Sequence, residues 1–512
     1  MPLAWAACRV PSGGTAALGL LNYSLGMLQA VPILAVAMIA SIALRDGPAP
    51  DLASREIWVS AWKDVPAGLR YVTPMLWLEG DYRPGQDNES IDPEPLARAS
   101  KSLPEGRRVL LWYRYFRSFW GARQDAIQLA DRNVDGPWSQ FAVTQVRSEW
   151  SRFLQLYKYC GGALDLVVGD CEEWGRFTSW SLSPGQLDAI RLDTRFGEAL
   201  YGCPSLRDLT TGFALEEVAS SRSYTSSLKW NCAIGRFTAA VMSHAIWEPA
   251  VAAFPRIKGS NYDGKLMVDR PAPDLNGHPQ PSENRFGSSS SPVAYGAIQQ
   301  ASTAWFIDDS DPTQLSRTGV TRLKRGSWQS FLIDVQLGRA CRRGSPNSPL
   351  MPWIALPTYA GDLPGLVGYP EDRRLWSEMV RHYALFGTSV FLWWNTTSLP
   401  GPGGTSVPAL GRDQMAKDLN ALMLEINGQT GGLVQRTIST VPVSFRASIV
   451  TSGAVLTDGT RLWRVTVQPG IRRIKESFGG SVLEIPAGEL GVWISRRDEV
   501  VPDYQPAPPD QN

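Results

Sequence analysis

The sequence predicts an α/β fold: a (β/α)8 TIM-like barrel followed by a small C-terminal β-sandwich-like domain. Three observations carry that expectation. Short runs rich in β-forming residues alternate with amphipathic stretches through most of the chain, the pattern of a parallel sheet wrapped by helices. No G-x-G-x-x-G follows an early strand and no P-loop occurs, so an open doubly wound sheet, the alternative for such alternation, lacks its usual nucleotide chemistry. After Gly431 and Gly432 the helical signal fades, and alternating strands joined by turns such as Thr457, Asp458 and Gly459 take over.

At 512 residues the chain is too long for one compact core and long enough for a barrel of about 250 to 400 residues plus a second module. Eight runs read as barrel strands: residues 57–62, 72–78, 109–115, 164–170, 256–262, 303–308, 350–356 and 389–395. Between them, residues 142–158, 226–246, 329–342 and 375–386 read as helices, several with apolar residues three and four apart. Residues 271–292, rich in Pro, Ser, Asn and Gly, cannot bury a core face and read as a long loop over the active face of the barrel. A second break at 399–407 precedes a helix over 414–426 that would close the barrel. Strands over 441–449, 461–467, 481–485 and 491–495 build the last module. The expected division is a leader over 1–47, a barrel over 48–428, a β-domain over 429–503 and a disordered tail over 504–512.

Residues 25–44 (LGMLQAVPILAVAMIASIAL) are an uncharged apolar run long enough to span or nearly span a bilayer. An export signal cleaved after Ser41, Ile42 and Ala43 competes with an uncleaved membrane tether, and with a buried core helix; Arg9 is the sole upstream positive side chain. Export by either route predicts a secreted, periplasmic or membrane-anchored protein.

With 50 basic against 49 acidic residues and a net charge of +1, no broad field draws in nucleic acid or an anionic membrane surface. The six Cys (Cys8, Cys160, Cys171, Cys203, Cys232, Cys341) have no C-x-x-C spacing and His244, His278 and His382 lie far apart, so neither a metal site nor a cofactor is expected. A Ser nucleophile fails for want of a G-x-S-x-G elbow, and His382 falls in a predicted helix. The 20 Trp are heavy usage, and indole faces stack well on the apolar faces of sugar rings as well as filling large cores.

The sharpest local feature is GGALDLVVGDCEEWG, residues 161–175, where an apolar strand ends in carboxylates. Alternation along a strand gives Asp170 and Glu172 one side and Glu173 the other. The C-terminal ends of barrel strands form the active face, and two carboxyls this close cannot both ionise without penalty, which keeps a proton available near neutral pH. Glycosidic-bond cleavage needs that pairing: Glu172 as general acid for the leaving oxygen and Asp170 as the carboxylate that stabilises positive charge at the anomeric carbon. A solvated acid pair, or Asp170 as a helix cap, is the plainer reading of the same residues.

The segment VVGDCEEWGRFTSW resembles the hyaluronidase family, in which an apolar strand ends in D-x-E with a further acid and a Trp; Asp170, Glu172, Glu173 and Trp174 stand at those places. It is also similar to the chitinase motif D-x-x-D-x-D-x-E, with Asp165, Asp170 and Glu172 in place and Val168 where the middle acid stands. Both resemblances imply substrate-assisted retention, in which the aspartate orients the substrate's own 2-acetamido group, and hence a hexosamine-containing polysaccharide. The hyaluronidase cysteine pattern is not recognisable and the C-terminal module is a different attachment, so a distinct glycosidase family remains open.

For substrate binding, the last strand (SVFLWWNTTS) offers Trp393 or Trp394, of which alternation lets one face inward, with Trp393 preferred; the resemblance implies a Trp there as floor of the sugar subsite. Asn261 and Tyr262 end another strand, where the resemblance implies a Tyr on the acetamido group. Tyr115, with Arg114, and Asp308, with Asp309, stand at two more strand ends, and Asp308 or Asp309 would serve as a separate nucleophile in an ordinary retaining enzyme. A noncatalytic carbohydrate-binding or envelope-structural protein on the same barrel is the competing function.

Overall fold

A computed structural model describes residues 56–61, 65–77, 93–112, 140–170, 206–216, 243–262, 306–308, 311–316, 321–322, 350–355, 373–388, 390–394, 398–400, 406–408, 412–431, 434–438, 447–475 and 482–496, with single residues between 183 and 188 and between 328 and 342. All of them belong to one compact unit, Pro48–Asn512. The apolar run at 25–44 and the tail from 504 lie outside the described residues; among those described, no helix is long and apolar enough to cross a membrane.

Two four-stranded parallel sheets carry the first part of the fold. Their strands are β1 (Trp58–Ala61), β2 (Val72–Pro74), β3 (Leu76–Trp77), β4 (Val109–Trp112), β5 (Leu166–Asp170), β6 (Lys258–Tyr262), β7 (Trp353–Ala355) and β8 (Val390–Trp394). The orders are β7-β8-β1-β2 and β3-β4-β5-β6. Only Met75 separates β2 from β3, so the two sheets are successive parts of one ribbon in which the last parallel strand, β8, lies beside the first. This is the neighbour order of a (β/α) barrel. Among the described residues the ring is open between β6 and β7.

The expected strand at 303–308 behaves differently. Phe306–Asp308 pairs antiparallel with Asp311–Ser316 and with Thr321–Arg322 in a separate three-stranded sheet. An antiparallel partner two residues away closes at small entropic cost, whereas a parallel partner requires a long crossover. Asp308, opposite Asp311, therefore does not end a parallel strand.

Burial divides the parallel strands into two sides. Trp58, Met75, Val109, Leu166, Val168, Met351, Trp353, Val390 and Leu392 form one buried cluster. It draws on both sheets, so the ribbon curls around it. The alternate residues Val59, Ala61, Ile354, Phe391 and Trp393 belong to a second cluster with the helices α4 (Arg373–Leu385) and α5 (Arg412–Thr430), through Leu375, Met379, Val380 and Tyr383 and through Ala416, Leu419, Met423 and Ile426. Three earlier helices, α1 (Pro93–Lys101), α2 (Gln140–Tyr159) and α3 (Glu248–Ala253), accompany β3 to β6. Against β6, the indole of Trp247 lies so close to Gly259 that a Cβ there would meet it at 1.8 Å.

The strand starts are held by polar contacts. Asn427 of α5 mimics a strand edge: its Oδ1 accepts from the Ile57 N–H at 2.8 Å and its amide donates to the Ile57 carbonyl at 2.7 Å. One heptad earlier, Asn420 Oδ1 accepts from the Tyr71 N–H at 2.8 Å. The buried guanidinium of Arg107 donates to Glu56 at 3.0 Å and to the Arg70 carbonyl at 2.5 Å. Asp165 accepts from the Arg108 N–H at 3.0 Å, which places this member of the chitinase-like motif at the start of β5, away from its carboxyl end.

The C-terminal module is an antiparallel sheet in the order β9 (Val434–Ile438), β10 (Ile449–Leu456), β11 (Arg461–Val467), β12 (Gly491–Arg496). One side, with Trp463, Val465 and Val467, packs on a short ribbon of Arg473–Lys475 and Val482–Glu484. The other side meets α4 through a buried polar cluster. Glu378 of α4, 1% exposed, accepts from Arg464 at 2.5 and 2.7 Å, from Thr466 at 2.6 Å and from Arg381 at 3.0 Å. Gly491 makes room for this carboxylate, since a Cβ there would lie 2.9 Å from Glu378 Oε2.

The same cluster fixes the tautomer of His382. Thr466 Oγ1 donates its hydroxyl proton to Glu378, so the 2.9 Å contact to His382 Nε2 requires Nε2–H as donor. Nδ1 is then the acceptor for the Ser452 hydroxyl at 2.7 Å. Burial, with the cations of Arg339, Arg464 and Arg381 adding to it, holds His382 well below the ordinary histidine value and therefore neutral.

Two outcomes follow for stability. Asn427→Ala strands both backbone groups of Ile57 and should cost about 2–4 kcal/mol, read as a lower urea midpoint at unchanged slope. A histidine depressed in the fold and near 6.5 when unfolded contributes stability that is full above pH ~6.5 and is lost as pH falls, by up to about 1.4 kcal/mol per pH unit. Between pH 7 and 5.5 the wild type should therefore lose more stability than His382→Gln, and equal losses would count against this account.

Candidate functional site

All parallel strands end at one edge of the ribbon, at Ala61, Trp77, Trp112, Asp170, Tyr262, Ala355 and Trp394. The register assigns each of these positions to a side. On β5, Leu166 and Val168 belong to the interior cluster, so position 170 has interior parity. Asp170 pairs in register with Tyr262 of β6, and parallel partners share a side, so position 262 is interior too while Asn261, opposite Gly169, is not. On β8 the interior residues are Val390 and Leu392, which makes Trp394, opposite Ala355, the interior position at the strand end. Met75 is interior, and two residues on stands Trp77, opposite Leu111.

The interior rim at the carboxyl edge thus brings together one acid position, 170, and three aromatic positions, 77, 262 and 394. The opposite edge carries the paired groups already described, Glu56 with Arg107, Asp165 with Arg108, and the two Asn of α5. In barrels the carboxyl edge is where catalysis sits and the amino edge is where stability is built.

Trp393 requires a correction. It is fully buried in the cluster shared with α4 and α5, on the helix side of β8, so it cannot floor a pocket on the interior side. By alternation position 394 has the opposite parity. Glu172, Glu173, Trp174, Arg114, Tyr115 and Asp309 lie outside the described residues. Asp308 stands in the separate antiparallel sheet. His382, bonded on both ring nitrogens inside the α4–sheet contact, is structural.

Three residues escaped the reading of the sequence. Trp77 sits in a run, Val-Thr-Pro-Met-Leu-Trp-Leu, whose only signal was its place at a strand end. Ser60 and Thr73 are small polar residues inside apolar runs; both are buried, both have interior parity, and neither side-chain oxygen has a hydrogen-bond partner.

No family model matches the chain, and no curated protein matches it. Among solved structures it is similar to SrfJ from Salmonella typhimurium, at 13% identity and a TM-score of 0.30 over 69% of this chain and 63% of that one. The match thus spans less than two thirds of that protein. A second is the endo-beta1,6-glucanase BT3312, at 12% identity and a TM-score of 0.35 over 80% and 74% of the two chains. A third is a GH30 endoxylanase from Clostridium papyrosolvens C71, at 9% identity and a TM-score of 0.28 over 88% and 97%. Superpositions this loose transfer no residue from one chain to the other.

Trp393→Ala removes a fully buried indole and should cost about 3–5 kcal/mol, read as a lower urea midpoint at unchanged slope; a variant within about 1 kcal/mol of wild type would overturn its place in the core.

Proposed function

We propose that this chain is an exported glycoside hydrolase that cleaves a polysaccharide at the carboxyl edge of its parallel strands. The observation that carries the reading is the register of Asp170 with Tyr262 on the interior side, with Trp77 and Trp394 at the same edge. Glu172, two residues beyond Asp170, serves as the general acid that protonates the leaving oxygen. Asp170 stabilises the positive charge that builds at the anomeric carbon, or orients a 2-acetamido group that attacks it. In the second case the polymer contains N-acetylhexosamine: the acetamido oxygen bonds to the anomeric carbon as the leaving oxygen departs with the proton of Glu172, and water deprotonated by the resulting carboxylate then opens that intermediate, so the product retains its anomeric configuration. Glu173, next to Glu172 in the chain, is the alternative acid. Tyr262 and Trp394 hold the ring over these acids, and Tyr115 flanks it. Export through residues 25–44 would place the substrate outside the cytoplasm.

A noncatalytic carbohydrate-binding protein is the second reading, favoured by one observation: the aromatic positions outnumber the single acid position on the described rim. The two separate on one experiment. The full-length chain is incubated with hexosamine-containing and neutral polysaccharides, and released reducing ends are compared with those from Asp170→Asn and Glu172→Gln. The hydrolase reading expects release by wild type and losses of about 10²- to 10⁴-fold in both variants at an unchanged melting temperature. Binding of a polymer without release, or a Glu172→Gln variant as fast as wild type, overturns it.

A further inference from the structure

Ser60 of β1 and Thr73 of β2 are in-register neighbours. Ser60 is also in register with Leu392 of the interior cluster, and Trp58 and Met75, two residues away on the two strands, belong to that cluster. Both side chains therefore stand on the interior side. Ser60 is fully buried and Thr73 is 7% exposed, yet neither hydroxyl has a hydrogen-bond partner. Two adjacent orphan hydroxyls are an unusual expense in a parallel-sheet interior, where buried polar groups are almost always paired. Such groups persist where function requires them.

We propose that Ser60 and Thr73 form the polar floor of the sugar pocket and hydrogen-bond a hydroxyl of the bound ring; this deepens the glycoside hydrolase reading and rests on it. Neighbouring strands lie about 4.8 Å apart, so one oxygen above the pair reaches both hydroxyls at ordinary O–H···O distances of about 2.8 Å. A hydroxyl both donates and accepts, and its natural complement is another hydroxyl. Arg107, whose guanidinium lies 5.8 Å from the Trp58 ring, is already paired with Glu56, so a neutral hydroxyl is the simplest complement to the pair. Both hydroxyl oxygens are closed off in the unliganded chain, so a ring reaches them only by displacing the side chains above them. The pair sits on β1 and β2, beside β8 and its rim position 394, so a ring stacked at the rim directs a hydroxyl downward onto it.

The test is thermal unfolding of the full-length chain, wild type, Ser60→Ala and Thr73→Val, with and without graded glucose and N-acetylglucosamine. Without sugar, both variants should melt at or above the wild-type temperature, because an orphan polar group has been removed. With sugar, the wild type should be stabilised and each variant should bind about three- to tenfold more weakly. Variants that bind as tightly as wild type, a wild type that neither sugar stabilises, or variants that melt lower without sugar because the hydroxyls hold a structural water, would each overturn the proposal. Its failure is distinguishable from that of the hydrolase reading. Asp170-dependent cleavage with unchanged binding by the Ser60 and Thr73 variants sinks the floor alone, whereas weakened binding with undiminished cleavage by Asp170→Asn sinks the catalytic assignment alone.

Discussion

Two-sided burial of the parallel ribbon is the constraint on which the rest of the structure depends. A strand covered on both sides has no solvent face to absorb an error, and apolar residues of β1 and β8 divide between the interior cluster around Trp58, Leu166 and Leu392 and the helix-side cluster around Val59, Phe391 and Trp393. A one-residue slip would exchange the two sets. The same alternation that packs Leu166 and Val168 inside commits position 170 to the interior rim, and the packing of Val390 and Leu392 does the same for position 394. The candidate site is thus a continuation of the core by two residues at each strand end.

The two edges of the ribbon divide the work. At the amino edge polar groups bind one another: Asn427 completes the hydrogen bonding of Ile57, Asn420 that of Tyr71, and Arg107 bridges Glu56 and the Arg70 carbonyl across three chain segments. Satisfied groups of this kind anchor strands and offer a ligand little. At the carboxyl edge the strands instead end in large aromatics and an acid.

The sequence made the existence of the parallel strands readable, because runs such as Leu-Val-Val-Gly-Asp are continuous, β-branched and bounded by turns; observed and expected limits differ by a residue or two at most ends. It did not reveal phase. Val-Phe-Leu-Trp-Trp is apolar on both sides, so its composition cannot say whether Trp393 or Trp394 faces the interior, and only the neighbours of Phe391 and Leu392 decide it. Trp77 was hidden for the same reason. Phe306–Asp308 was misplaced because a short apolar run has no marker for parallel or antiparallel pairing, and a partner two residues away prevailed. Glu378 and His382 were illegible for a different reason: polar residues on an amphipathic helix read as its wet face, and only the arrival of β10 and β11 over that face buries them.

That buried cluster bears on the site at a distance. An ion pair taken out of water is rarely worth more than a well-packed apolar pair, so Glu378 and Arg464 are poorly explained as a source of stability. Their geometry is more informative. Glu378 has three separate donors, Arg464, Arg381 and Thr466, and His382 is bonded on both nitrogens, which together fix the position and rotation of α4 on the C-terminal sheet far more tightly than apolar contact would. From α4 the chain turns at Gly387, at a φ of +78°, where the Arg342 guanidinium caps the Phe386 and Gly387 carbonyls at 2.7 and 3.0 Å. It then enters β8 directly. Whatever holds α4 therefore holds β8, and β8 carries position 394 to the rim. The C-terminal module is on this account a buttress whose polar contacts set the placement of α4 and, through it, of β8.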